Sequence, residues 1–175
     1  MSLTIEFYSA VPQELVALFS KLFMIQFSDN SASEEDLLFD QLETYPKAEF
    51  PGRLLIPDNL DGLCITLKKC HPLILSYFHE ACIKELWNDG LGTESLTLLS
   101  DQFVSELAAF SENEIQQAAF SWAATFLLQE PLHQTLPYKA VIQLREIALA
   151  TRIAGNSLVF YLAGVPGFFE YLRHL

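Results

Sequence analysis

The segment SLVFYLAG, residues 157–164, decides the fold class, because it is a short run of bulky apolar and aromatic residues without charge. Such a run, preceded by Gly155 and Asn156, is typical of a buried β-strand. A second β-prone run, LTIEFY, lies at residues 3–8. These two predicted strands lie near opposite ends of the chain, and pairing them gives a small sheet.

The sequence between these two runs has mainly helical patterns. A helix is predicted from about residue 12 to residue 26, because apolar residues there recur with helical spacing. These residues are Leu15, Leu18, Phe19, Leu22 and Phe23. Ser31 and Glu34 have the spacing of a capping box, which predicts a second helix to about Glu43. Prolines then predict a loop over 46–57, in which residues 53–56 can form an extended piece.

The second half of the chain continues the helical pattern. Residues 58–70 fit a helix and a strand, and the length and the Asp58 start favour a helix. Further helices are predicted at 72 to about 87, 101–110, about 112–129 and 138–154, with a short final one at 167–174. The predicted class is α+β and predominantly α-helical. It is one compact domain over 1–175, with about six helices and a small sheet from short terminal-region strands.

The composition indicates a well-filled core or an apolar surface that a partner covers. Hydrophobic residues make up 51% of the 175 residues, and charged residues make up 18%, where about 25% is typical. A chain of this length buries enough surface to fold without a disulfide or a metal. We favour the covered surface, and we therefore expect self-association, as in a homodimer, or a protein partner.

The charge balance argues against nucleic acid as a partner. Ten Lys and Arg residues against 22 Asp and Glu residues give a net charge of −12. Because nucleic-acid binding requires basic side chains that neutralise phosphates, we expect no DNA or RNA partner. An anionic membrane surface is disfavoured for the same reason. The uncharged stretches 115–129 and 153–169 are too short, or too rich in Gly and Pro, to predict a membrane span.

The cysteines and the N-terminal sequence predict a cytoplasmic protein. The three cysteines are odd in number and lack the spacing of a disulfide scaffold. The first fifteen residues have neither a basic region nor an apolar run of the secretory type. We therefore expect free thiols in a reducing compartment.

One group of residues has the chemistry of a metal or nucleophile site: Cys70, His71, His79 and Cys82. His79 and Cys82 are three residues apart and would share a face of the predicted 72–87 helix. Cys70 and His71 are adjacent, which is awkward for two ligands of one ion, and the spacing matches no zinc pattern. We predict neither a metal nor a cofactor. Whether the four residues converge, as a Cys–His enzyme would require, stays open.

Two charged groups are candidate binding residues. Arg145 and Arg152 are seven residues apart on one face of the predicted 138–154 helix, where two guanidinium groups could bind an anionic ligand. The alternative is that both lie at the surface and pair with nearby acids. Asp36, Asp40 and Glu43 form an acidic stripe that could contact a basic partner or supply carboxylates for acid–base chemistry, although solvated helix faces commonly have this composition.

No catalytic motif accompanies these residues, since patterns such as GxSxG and HExxH are absent. The leading hypothesis is a non-catalytic acidic protein-interaction module that uses apolar and acidic surface. One alternative is a domain that binds a small anionic or apolar ligand in an aromatic pocket. The other alternative is an enzyme with a Cys/His site.

Overall fold

A five-stranded sheet forms the middle of the fold in the computed structural model, which describes residues 4–25, 32–51, 57–71, 75–126 and 130–164. All its neighbouring strands are antiparallel. The strands are β1 (Thr4–Ala10), β2 (Lys47–Pro51), β3 (Cys82–Asn88), β4 (Glu94–Leu99) and β5 (Ser157–Ala163). They lie in the order β2-β1-β5-β4-β3, so β2 and β3 are the two edges.

Seven α-helices surround this sheet within the described residues. They are α1 (Pro12–Ile25), α2 (Ala32–Glu43), α3 (Pro57–Cys70), α4 (Phe78–Ala81), α5 (Asp101–Ala109), α6 (Glu112–Ala123) and α7 (Leu136–Ala154). The prediction of a predominantly helical α+β fold is confirmed. The two terminal-region strands do pair, since β1 runs beside β5 with Phe7 opposite Phe160.

The alternation of side chains along the strands gives the sheet two different faces. Ile5 and Phe7 of β1 belong to a large core together with buried residues of α3, α5, α6 and α7. Tyr8 and Ala10 of the same strand belong to a smaller core with α1 and α2. The fold therefore has three layers, with four long helices on one face of the sheet and two on the other.

The helices α1 and α3 confirm their predictions, and local capping explains where several others begin and end. The Ser111 N–H donates to Glu114 Oε2 at 2.8 Å, and the Glu114 N–H donates to Ser111 Oγ at 3.3 Å, which is a capping box at the start of α6. Helix α7 ends at Gly155, whose φ of 67° suits glycine. The predicted cap at Ser31 lies outside the described residues.

The prediction of a helix from 72 to about 87 is wrong. Only α4 is helical, and Cys82 begins β3, so His79 and Cys82 do not share a helix face. Asn88 is the last residue of β3, and Asp89 and Gly90 belong to the turn of the β3–β4 hairpin and not to the end of a helix. The Asp89 carboxylate orders that turn, because it accepts the N–H groups of Leu91 and Gly92 at 2.9 and 2.8 Å.

The sheet has three strands that the sequence did not predict. Strand β4 pairs with both β3 and β5, and β2 pairs with β1 inside the stretch predicted as a loop over 46–57. Helix α6 ends at Ala123 and continues as a short 3-10 turn, Ala124–Phe126. The predicted extended piece at 53–56, the end of the 112–129 helix and the 167–174 helix lie outside the described residues.

Candidate functional site

A cavity of about 300 Å³ lies between the sheet and the two helices α1 and α2. We call it the acidic cleft. Strand β1 contributes alternate residues to it, because the residues between them face the large core. Helix α2 contributes Phe39, Leu42 and Glu43, and Lys47 comes from the edge strand β2. The lining consists of Thr4, Glu6, Tyr8, Phe19, Leu22, Phe23, Phe39, Leu42, Glu43, Lys47, Glu94 and Tyr161.

The register of the sheet brings the polar residues of three strands into this cleft. Tyr161 of β5 lies directly opposite Glu6 of β1. Glu94 of β4 lies opposite Ala163, two residues along β5 from Tyr161. Glu6 and Glu94 are 88 positions apart in the numbering, yet both flank the same tyrosine.

Lys47 is held by carboxylates on three sides. Its Nζ donates to Glu43 Oε1 at 2.7 Å, lies 2.8 Å from Glu49 Oε1 and lies 3.8 Å from Glu6 Oε1. Burial by itself would lower the pKa of Lys47, but the hydrogen bonds to Glu43 and Glu49 and the charge of Glu6 outweigh it and raise that pKa. Lys47 therefore stays charged at neutral pH.

Acidic side chains outnumber basic ones in the cleft. Among the described residues that line it, Glu6, Glu43 and Glu94 are acidic, and Lys47 is the single basic residue. Glu94 has no ion pair within the described part of the chain. The cleft therefore carries an excess of negative charge in a partly enclosed space, where charges are less screened than at an open surface.

Two tyrosine hydroxyls donate to these carboxylates. The Tyr8 hydroxyl donates to Glu6 Oε2 in a short hydrogen bond, and the Tyr161 hydroxyl donates to Glu94 Oε2 at 3.1 Å. Burial raises the pKa of both phenols, and the neighbouring charges of Glu6 and Glu94 raise it further. Both tyrosines are therefore protonated donors at neutral pH, which orients the carboxylates.

Aromatic side chains form much of the apolar lining. The Phe19 ring lies 4.7 Å from that of Tyr161 and 6.1 Å from that of Tyr8, as measured between ring centroids. Trp87 supports this group from β3, because its ring centroid lies 5.9 Å from that of Phe19 and 6.1 Å from that of Phe23. Phe39 is 47% exposed, so an apolar ring is available to a ligand.

The predicted acidic stripe divides at this cleft. Glu43 lines it, whereas Asp36 and Asp40 are exposed on α2 and do not line it. Sequence reasoning missed Glu6, Lys47 and Glu94. The available signal was Glu6, a charged residue inside an otherwise apolar predicted strand, because such a side chain needs a partner when it is buried.

The two predicted arginines have different environments. The Arg145 Nε donates to the carbonyl oxygen of Phe110 at 3.0 Å, directly after the end of α5. A cation there satisfies a carbonyl at a helix C-terminus, which is a structural role. Arg152 is exposed and lines a second cavity of about 290 Å³ with Asp101, Ser105 and Asn156 among others, and Arg145 does not line that cavity.

The cysteines lack the surroundings of a nucleophile. Burial raises the pKa of Cys70, and it raises the pKa of Cys82 to about 12, with Asp61 adding to the effect on Cys82. A thiol with a raised pKa forms little thiolate at neutral pH. The His71 ring lies tilted beside Phe110 with ring centroids 5.2 Å apart, and His79 stacks on Tyr77 with ring centroids 5.6 Å apart.

Within the part of the chain that the structure describes, no three or more His, Cys, Asp and Glu side chains are grouped so that they could hold a metal ion. No helix in that part has both the length and the apolar character that a membrane span requires.

Comparisons of this chain with protein-family models, with curated proteins and with solved structures found no match. A function must therefore be argued from the geometry and charge of the site itself.

Proposed function

We propose that this protein is a non-catalytic interaction domain that binds a positively charged region of a protein partner at the acidic cleft. The observation that carries this proposal is the combination of aromatic walls with uncompensated carboxylates in one cavity. Carboxylates attract a cationic side chain, and the rings accommodate the apolar part of the same side chain.

The charge of the whole chain supports the same kind of partner. A net charge of −12 gives a negative field that accelerates the approach of a basic protein and opposes the approach of a polyanion. Glu94 supplies the local target, because one of its oxygens accepts from Tyr161 and it has no ion pair among the described residues. The ligand's cation would take that place.

The cleft supports binding better than catalysis. Its tyrosines and lysine have pKa values raised away from neutrality, so none of them exchanges protons readily near pH 7. The thiols outside the cleft have raised pKa values as well. Tyrosines and a lysine that keep their protons hold a ligand in one orientation.

Self-association is the second part of the proposal. Several large apolar side chains are exposed, among them Ile153, Leu91 and Met24 at 87%, 71% and 69%. Together with the hydrophobic content of 51%, these residues favour a second copy or a partner that covers part of the surface. Native mass spectrometry at micromolar concentration tests this part, and a monomer throughout would contradict it.

The cleft is tested with an immobilised oligolysine peptide as the probe and with two matched pairs of variants. Glu94→Gln removes charge inside the cleft, whereas Asp40→Asn removes the same charge from the exposed part of the acidic stripe. Phe39→Ala removes a ring from the lining, whereas Leu37→Ala removes an exposed apolar side chain from the same helix.

We expect Glu94→Gln and Phe39→Ala to weaken peptide binding several-fold. The controls Asp40→Asn and Leu37→Ala should have little effect on it. Equal losses in Glu94→Gln and Asp40→Asn would show that the general negative charge of the chain, and not the cleft, attracts the peptide.

A further inference from the structure

We infer that the acidic cleft selects a quaternary ammonium group, such as a trimethylated lysine side chain or a small quaternary amine, over a primary ammonium group that carries three N–H donors. This inference rests on the proposed function, since it names the group that the same cleft recognises.

Several hydrogen-bond acceptors in and beside the acidic cleft already have donors. Glu6 accepts from Tyr8, and Glu94 accepts from Tyr161. Glu43 and Glu49 share the ammonium group of Lys47, with Glu6 Oε1 nearby. Lys47 therefore already occupies the position at which these carboxylates best accept hydrogen bonds from an ammonium with three N–H donors.

The cleft still offers a ligand negative charge and aromatic side chains. The negative charge of Glu94 remains without an ion pair in the described part of the chain, although one of its oxygens accepts from Tyr161. Five aromatic side chains also line the cavity: Tyr8, Phe19, Phe23, Phe39 and Tyr161. Negative charge together with aromatic rings is the environment in which proteins bind quaternary ammonium ions.

The free-energy cost of bringing a cation into the cleft depends on its N–H donors. An unmodified ammonium must keep three N–H donors satisfied, and a donor buried without a partner opposes binding. A quaternary ammonium has no N–H group, so it needs only charge and apolar contact. Its methyl groups fit against rings such as Phe39, and a cavity of about 300 Å³ accommodates a trimethylammonium group with its linker.

The test begins with the wild-type protein and four small probes, titrated by isothermal titration calorimetry. Tetramethylammonium is expected to bind about tenfold more tightly than methylammonium. Choline is expected to bind, whereas its neutral analogue 3,3-dimethyl-1-butanol is not. Equal affinity for tetramethylammonium and methylammonium would overturn the inference, as would equal affinity for choline and its neutral analogue.

Two variants locate the binding site. Glu94→Gln is expected to weaken tetramethylammonium binding about tenfold. Phe39→Leu keeps an apolar side chain but removes the ring, and it is expected to weaken binding about threefold, whereas Leu37→Ala is expected to leave it unchanged. Circular dichroism verifies that each variant is folded. Unchanged tetramethylammonium affinity in both cleft variants would overturn the inference.

Peptides separate this inference from the proposed function and also identify the source of the group. Tighter binding of a trimethyllysine peptide than of its unmodified form supports both proposals. Tighter binding of choline than of either peptide supports the inference and contradicts the protein partner. Equal binding of both peptides overturns the inference alone, and no binding of any probe overturns both.

Discussion

The two faces of the sheet are built from neighbouring residues of the same strands, yet they have opposite character. On one face, Phe7 and Phe160 are fully buried among apolar side chains. On the other face, Glu6 and Tyr161 lie directly opposite each other and line the acidic cleft. The comparison shows that one face buries the large apolar core, whereas the other combines the smaller core with charged groups that line a cavity. Substitutions on the two faces should separate these roles.

The largest expected effect comes from the large core. Phe160 is fully buried, and its ring lies 5.3 Å from that of Phe7 and 5.1 Å from that of Phe78. Phe160→Ala is expected to lower the free energy of unfolding by about 3–5 kcal/mol, because it leaves a cavity. Urea denaturation measures this change. A loss below about 1 kcal/mol would show that the face is not tightly packed.

A smaller loss of unfolding free energy is expected when Lys47, the cation of the cleft, is replaced. Lys47→Met leaves Glu6, whose side chain is 14% exposed, without its neighbouring charge. We expect a loss of about 1–2 kcal/mol, between the values for surface and buried ion pairs. Lys84→Met at an exposed position of β3 is the control, and a loss equal to that control would mean that the carboxylates do not need Lys47.

The tyrosines of the cleft predict a pH dependence. The pKa of Tyr161 is raised by burial and by Glu94, so the folded state retains a proton that the unfolded state releases above its ordinary pKa of about 10. The contribution of Tyr161 to the free energy of unfolding is therefore fully present below that pH and is lost as the pH rises above it.

Tyr161→Phe should reduce the slope of unfolding free energy against pH in that alkaline range. At neutral pH it should cost about 1 kcal/mol for the lost hydrogen bond. Urea titrations at several pH values measure both quantities. Identical slopes for the wild type and the variant would contradict the proposed environment of Tyr161.

The smallest expected effect on stability lies on α2. Phe39 and Leu37 are both exposed, at 47% and 67%, so replacing either with alanine should change the free energy of unfolding by less than about 0.5 kcal/mol. Thermal unfolding followed by circular dichroism measures the two variants side by side. A large loss in Phe39→Ala alone would mean that its ring belongs to the core and is not available to a ligand.

How much of the fold could be predicted from the sequence depends on how far apart in the chain the residues that determine each element lie. The helix α1 and the strand β5 follow from local periodicity, and both were predicted. The hairpin of β3 and β4 was missed because the segment before Asn88 also fits a helical pattern, and the irregular register of β3 disturbs the regular alternation that indicates a strand.

The acidic cleft could not be predicted in the same way. Glu6, Lys47 and Glu94 come from three different strands, and only the strand order and register bring them around Tyr161. The acidic stripe on α2 was visible from the sequence, but only Glu43 of its three residues lines the cleft.

The most direct test of a cation site on this face is nuclear magnetic resonance of isotope-labelled protein titrated with tetramethylammonium. The account predicts that the largest amide shift changes map to residues that line the acidic cleft, including Glu94, Tyr161 and Phe39. It also predicts small changes at Asp36 and Asp40. Changes spread evenly over the acidic surface, or no changes at all, would contradict it.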